Sequence, residues 1–410
     1  MDAKRLLLAY ATLVLASLVP ACGLTACRSR SDDDLSTVTR RTLYVSSSGT
    51  CGAQTPCYTT LQEAVDAAAS AGDLIKVAGG VYTSTVDQVL RIDRAVDLIG
   101  GYAPGEWSTA CPEAHPVIVD AEQVPGRRAI SINASDAPTI TIRGFRIMRG
   151  GFQVPQGGGF HVAGGAVLLE DSIVEDCSAD SRGGGVFIAD GDVHLRDNVL
   201  RGNSAQYGGA LYVQGGNVTL DRNVVLASEA PPLGGAIAVA DGAVRGANNV
   251  VAENALAGAG VYLSGGTLKA SHWTLVNNGR YAVIVDLGIQ IETGSATIDN
   301  SIVASHQGGF CGSGAVAHQT LFHDVGNPCI AGASCVNNLF GDPKFTDPSS
   351  SNYHITAGSA AVDQAYSVDV GRDLDGGRRP VGRASDLGAD ELAPYAIHLP
   401  LVVHGIEANP

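Results

Sequence analysis

The sequence predicts an all-β fold: a right-handed solenoid whose short strands stack in parallel from one turn of the chain to the next. Three observations predict it. The stretch Arg182 to Asn223 repeats itself at an offset of 25 residues, placing Gly183 on Gly208, Val186 on Leu211, Ile188 on Val213, Val193 on Val218 and Asn198 on Asn223. Extended in both directions, the repeat gives five consecutive copies beginning at Gly157, Gly183, Gly208, Gly234 and Gly258. Within a copy the apolar residues alternate, turn at a glycine and alternate again, as in Val186 and Ile188, Gly191, then Val193 and Leu195; period two means strands. Composition is the third observation. A chain of 410 residues with 52 glycines, two methionines and 5% aromatic residues lacks the bulky fillers of a layered domain.

The elements follow in chain order. Lys4 and Arg5 precede an apolar run from Leu6 to Val19, which has the length of an export signal and is short for a membrane span. LTAC, ending at Cys27, resembles a bacterial lipobox, so residues 1–27 read as a signal peptide with Cys27 the lipidated residue; Cys22, after VPA, is the alternative, and plain secretion is the other reading. If Cys27 carries the lipid, Cys27→Ala should release the protein from the membrane fraction and abolish labelling by a fatty-acid analogue. Labelling lost only with Cys22→Ala would move the site, and no labelling at all would refute lipidation. Residues 28–40 are a polar tether without apolar periodicity.

Residues 83–340 read as the coils, about ten of them. Two or three strands in 25 residues cannot pair within their own copy, but they can stack on the equivalent strands of the next, with a rise of about 4.8 Å per coil and the right-handed winding of parallel crossovers. Two polar columns recur, one of Ser172, Asn198, Asn223 and Asn249, the other of Asn203, Ser228, Asn254 and Asn278. Stacked amides can hydrogen-bond along a solenoid as they do in cross-β ladders, a structural role. The paired glycines before each first strand permit backbone angles closed to other residues.

LRGNSAQYGGAL (200–211) and its echo VAENALAGAGV (251–261) resemble the repeat of polymorphic outer membrane proteins, which implies a right-handed parallel β-helix of the pectate-lyase-like class. Residues 41–82, with YVSSSGTCGAQTPCYTTLQEAVDAAASAGDLIKVAGGVYTSTV, look like the opening of such helices. The resemblance implies a short capping α-helix from Leu61 to about Ser70, started by Thr60. The segment 341–394, with NNLFGDPKFTDPSSSNYHITAGSAAVDQAY and DLDGGRRPVGRASDLGADE, is similar to the choice-of-anchor Q domain, a terminal module on bacterial surface β-helices. A short apolar tail, 395–410, follows. No run of alternating strands that could build a translocating barrel is seen, so self-transport is not expected. The class hosts lyases, hydrolases and adhesins, so the resemblance speaks to fold more than activity.

Cysteine placement suits an oxidising compartment. Cys51 and Cys57 flank one short loop and Cys329 and Cys335 another, each spaced to close a small disulfide ring; zinc is the alternative, against which stands the lack of nearby histidines in ligand spacing. The net charge of -15, with no basic patch, excludes nucleic acid as a partner and leaves the membrane reachable only through a lipid anchor.

Two groups of side chains are candidates for function. His161, Phe187, Tyr212, Ala238 and Tyr262 should share one outward column, and its rings offer either a sugar-stacking track or a second small core covered by the C-terminal segment. Glu170, Arg196 and Asp221 share another column, and Asp171, Asp197 and Arg222 the next. Pectate lyases place Ca²⁺-binding carboxylates and an Arg on such a surface, so this group is the candidate catalytic set; surface ion pairs are the other reading. The C-terminal acids Asp369, Asp373, Asp375, Asp386, Asp390 and Glu391 alternate with Arg372, Arg378, Arg379 and Arg383, which points to Arg–carboxylate pairing more than to the Ca²⁺ loop that DLDGG suggests. No hydrolase triad motif is present. The reading is a surface or secreted protein that needs no cofactor and binds carbohydrate or another surface. The alternatives are a Ca²⁺-assisted lyase or glycosidase on an acidic glycan, and a structural envelope component.

Overall fold

In the computed structural model the described residues are 40–69, 72–135, 137–230, 234–254, 258–279, 287–366 and 370–393. Cys22, Cys27, Asp369 and the whole tail 395–410 lie outside them.

The alternating segments form a right-handed parallel β-helix with three faces. In the coil that begins at Gly183, Val186–Ile188 lies on the third face, Asp192–Arg196 on the first and Val199–Arg201 on the second. Each pairs with its equivalent in the next coil: Val186 with Leu211, Val193 with Val218, and Leu200 with Val225. The inward residues of all three faces make one continuous core that includes Val193, Leu195, Leu200, Leu211, Val218 and Leu220. The first face is a 13-stranded sheet, with Cys57–Tyr58 added outside Thr42–Val45 and twelve successive rungs from Thr42–Val45 to Ser334–Val336. That exceeds the ten expected, because the outer coils lack the glycine signature. Ile302–Cys311 and Leu321–Ile330 run from the second face into the third without a turn, so Ile302 pairs with Leu321, only 19 residues on.

The N-terminal helix spans Leu61–Ala67, shorter than expected at its C-terminal end. Thr60 caps it, accepting from Glu63 N, while Glu63 reaches back to the Thr60 N–H in a capping box. Leu61, Ala64 and Val65 face the first coil and join the core. Both predicted disulfides, Cys51–Cys57 and Cys329–Cys335, are formed.

The polar columns are buried ladders at the bends. Asn223 Oδ1 accepts from Asn198 N and Nδ2 (both 3.1 Å), its Nδ2 donates to Leu195 O (2.7 Å), and its own N–H donates to Asn249 Oδ1 (2.8 Å). A bend cannot satisfy the N–H groups of Asn198 and Asn223 by strand pairing, so the amide side chain of the next coil does. In the second ladder, Cys177 N donates to Asn203 Oδ1, Ser228 N to Asn254 Oδ1 and Asn254 N to Asn278 Oδ1. His306 extends it, accepting from Asn278 N through Nε2 at 3.1 Å; burial pushes its imidazole down to about 3, which keeps it a neutral acceptor.

The C-terminal segment packs on the second face. Tyr353, Ile355, Ala361, Leu374, Leu387 and Ala389 lie against the outward residues Val224, Leu226, Val250, Ala252, Val276 and Ile302. Tyr353 OH donates to Glu253 Oε1 at 2.6 Å, and Ala389 N donates to Thr274 Oγ1 at 3.0 Å. Its acids serve the backbone more than the arginines. Asp386 accepts from Asp363 N and Leu392 N, and Glu391 from Val381 N and Asp386 N. Arg379 is buried and donates to the carbonyls of Asp386 and Gly388, with Glu391 at 3.5 Å. A segment with so little regular pairing must find side-chain partners for its buried amides.

Candidate functional site

The outward column of the third face is assembled as the repeat predicts. Strand register sets His161 beside Phe187, Phe187 beside Tyr212, Tyr212 beside Ala238 and Ala238 beside Tyr262. The rings stack: His161 to Phe187 at 5.2 Å and 15°, Phe187 to Tyr212 at 5.7 Å and 10°. Their flat faces are turned to one another, which leaves Phe187 only 1% exposed and Tyr212 and Tyr262 each 6%. The C-terminal segment is not what covers them, since it occupies the second face. The glycine turns fold back over the column instead. At Gly183, with φ +60°, a Cβ would sit 2.3 Å from Val186 O and 2.9 Å from the Phe187 Cβ, so no other residue fits this turn without displacement.

At the rim of this buried stack the turns supply polar groups and one open ring. Tyr207, 37% exposed, lies 6.3 Å from the Tyr262 ring. The Arg182 guanidinium sits 5.3 Å from the centre of the Tyr212 ring and donates to Gln214 Oε1 at 3.4 Å. Burial, then a hydrogen bond with Glu292, pushes the Tyr262 phenol upward, with Tyr207 and Tyr212 adding to it; burial also raises Tyr212, against the pull of Arg182. Three tyrosines, an arginine and a carboxylate therefore converge where Ala238 leaves a gap in the ring column. Further along, burial and then Arg128 drive His161 down to about 4, so a neutral imidazole ends the stack. Tyr207 and Arg182 lie in the turn segments before their strands, where no alternation reveals direction, and sequence reasoning missed them.

The charged columns of the first face are also brought together. Glu170, Arg196 and Asp221 are in register, and Asp171, Asp197 and Arg222 follow at the bend, each with left-handed φ between 47 and 57°. Their charges engage one another. Arg196 binds Glu170 at 2.6 Å, Arg222 binds both oxygens of Asp197 at 2.7 Å, and His194 lies 2.9 Å from Asp221. Glu170 is 2% exposed behind its arginine. Burial works to raise Asp221, but the hydrogen bond from His194, the Ala247 N–H and the Arg222 charge together outweigh it, leaving the carboxyl below its ordinary range; Asp197 holds Arg222 above its own. The arrangement is a run of ion pairs across three coils.

A family model described as a right-handed beta helix region matches residues 128–302, the stretch that holds all five glycine-marked copies. Among solved structures, the crystal structure of pectate lyase Pel9A is similar, at 13% identity and a TM-score of 0.49, over 87% of this chain and 98% of that one. No curated protein matches. The chain is a right-handed parallel β-helix protein.

Proposed function

We propose that this protein is an extracytoplasmic, non-catalytic binder whose third face engages a carbohydrate at the patch of Arg182, Tyr207, Tyr212, Tyr262 and Glu292. The observation that carries the reading is the half-open Tyr207 ring beside phenol, guanidinium and carboxylate groups. Sugars are held by this combination of an apolar ring face and planar polar partners. The pairing of Glu170 with Arg196 and of Asp197 with Arg222 supports the same side of the choice, because a lyase base or a Ca²⁺ ligand needs a carboxylate turned to the substrate. Export and a lipid at Cys27 would place this face outside the cell, and the likeness of 341–394 to a surface module is in keeping with it.

Tyr207→Ala tests the patch. The ring is exposed and outside the core, so melting should stay within about 1 °C of the parent, in line with a surface change below about 0.5 kcal/mol. Binding to the glycans recognised on an array should weaken roughly tenfold or more, as for loss of a contact worth about 1.4 kcal/mol. Unchanged binding in a stable variant would move the ligand elsewhere.

A further inference from the structure

Away from both groups, the C-terminal segment brings His354, Asp375 and Asp390 together, with one ligand atom from each within 4.8 Å of the others. The convergence follows from the backbone. Leu374 N donates to Ala389 O at 2.8 Å, which sets residues 375 and 390 side by side, and Ile355 N donates to Asp390 Oδ2 at 2.7 Å, which ties them to the strand Asn352–Ile355.

The orientation of the imidazole is fixed from the other side. Asn352 Oδ1 accepts from His354 N at 3.2 Å, and a backbone N–H can only donate, so the amide atom facing the histidine is oxygen. His354 Nδ1, 2.7 Å from the same oxygen, must then carry its proton. Nε2 is thereby aimed at the carboxylates and lies 2.8 Å from Asp375 Oδ2. An imidazole that donates through Nδ1 to an oxygen and presents Nε2 to acidic groups has the outer-shell arrangement of metal-binding histidines. His354 is 1% exposed and Asp375 39%, so the group is buried on the protein side and open to water on the other.

The geometry points to a divalent transition-metal site formed by His354 Nε2, Asp375 and Asp390, with water completing the coordination on the Asp375 side. One nitrogen and two carboxylate oxygens suit Zn²⁺ and its neighbours better than Ca²⁺ or Mg²⁺, which prefer all-oxygen shells. Tetrahedral bonds of ordinary length set ligand atoms about 3.3 Å apart, a small opening of the Nε2–Asp375 contact. The ion would join three stretches of the C-terminal segment that lie 21 and 15 residues apart in the chain. Because the segment is held to the second face by Tyr353 and Ile355, on the same strand as His354, the ion would fasten it to the solenoid.

The test uses the full-length, tag-free protein dialysed against EDTA and then titrated with Co²⁺, read by visible absorbance, and with Zn²⁺, read by calorimetry. One equivalent should bind, the melting temperature should rise, and EDTA should reverse the rise. His354→Ala and Asp375→Asn should each weaken Zn²⁺ binding about 100-fold, and loss of the orienting group in Asn352→Ala about 10- to 100-fold. Should His354→Ala fold poorly, the exposed Asp375→Asn change decides. Absence of binding by the parent protein would overturn the proposal, as would binding that Asp375→Asn leaves unchanged; in that event Nε2 carries a proton in a simple ion pair with Asp375.

Discussion

Replacing Asn223 with leucine is expected to strip one rung from the buried ladder and destabilise the solenoid by roughly 1 to 3 kcal/mol, the cost of one buried group left without a partner. That group is the Asn198 N–H, which donates to Asn223 Oδ1; the Leu195 carbonyl loses the bond from Asn223 Nδ2 but keeps its strand pairing with the next coil. Asn223 is 3% exposed, so water cannot substitute. Each coil of a solenoid touches only its neighbours, so the loss should be local as well as global. Hydrogen exchange should quicken first at the amides of residues 196 to 199 and 221 to 225. Urea unfolding within about 0.5 kcal/mol of the parent, with exchange unchanged, would contradict the ladder.

Phe187→Ala should cost about 3 to 5 kcal/mol, the usual range for a buried aromatic truncation. The ring is stacked between His161 and Tyr212, and the glycine turn at 183 closes over it, so no neighbour can fill the space without moving backbone. Tyr212→Ala should approach the lower end of that range, about 3 kcal/mol. For Phe187→Ala any loss of glycan binding should track unfolding, in contrast with Tyr207→Ala, where binding falls and stability holds; Tyr212→Ala, which belongs to both the stack and the patch, should lose both. Thermal melting and glycan binding on the three variants separate a buried spine from a binding rim. A Phe187→Ala protein that melts with the parent would make the column a free surface.

The contrast shows what was legible in the sequence. Where a residue sits in a period-two strand its column and register could be read, which is why Phe187, Tyr212 and Tyr262 fall in line and Asn198, Asn223 and Asn249 stack. Exposure was less readable. Outward residues of one face can be covered by turns, and the turns carry no period. The same limit hid Arg182 and Tyr207. Periodicity also failed at the ends, where Ile302–Cys311 rounds a corner without a turn and shortens the coil. In the C-terminal segment the acids were visible as a group, but their partners were not. Asp386 and Glu391 bind backbone amides that become neighbours only when the segment folds, and His354 meets Asp375 and Asp390 across long sequence gaps.

The choice between binder and enzyme rests on the first-face charges, and one measurement reaches it directly. The purified protein is incubated with a panel of polyuronates, with and without Ca²⁺, while absorbance of the unsaturated product and retention of the glycan are followed in parallel. Ion-paired carboxylates at Glu170 and Asp197 predict no unsaturated product under either condition, with any glycan that binds recovered intact. Product that forms only with Ca²⁺, and disappears in Arg196→Ala, would contradict that prediction and make the charged ladder an active site.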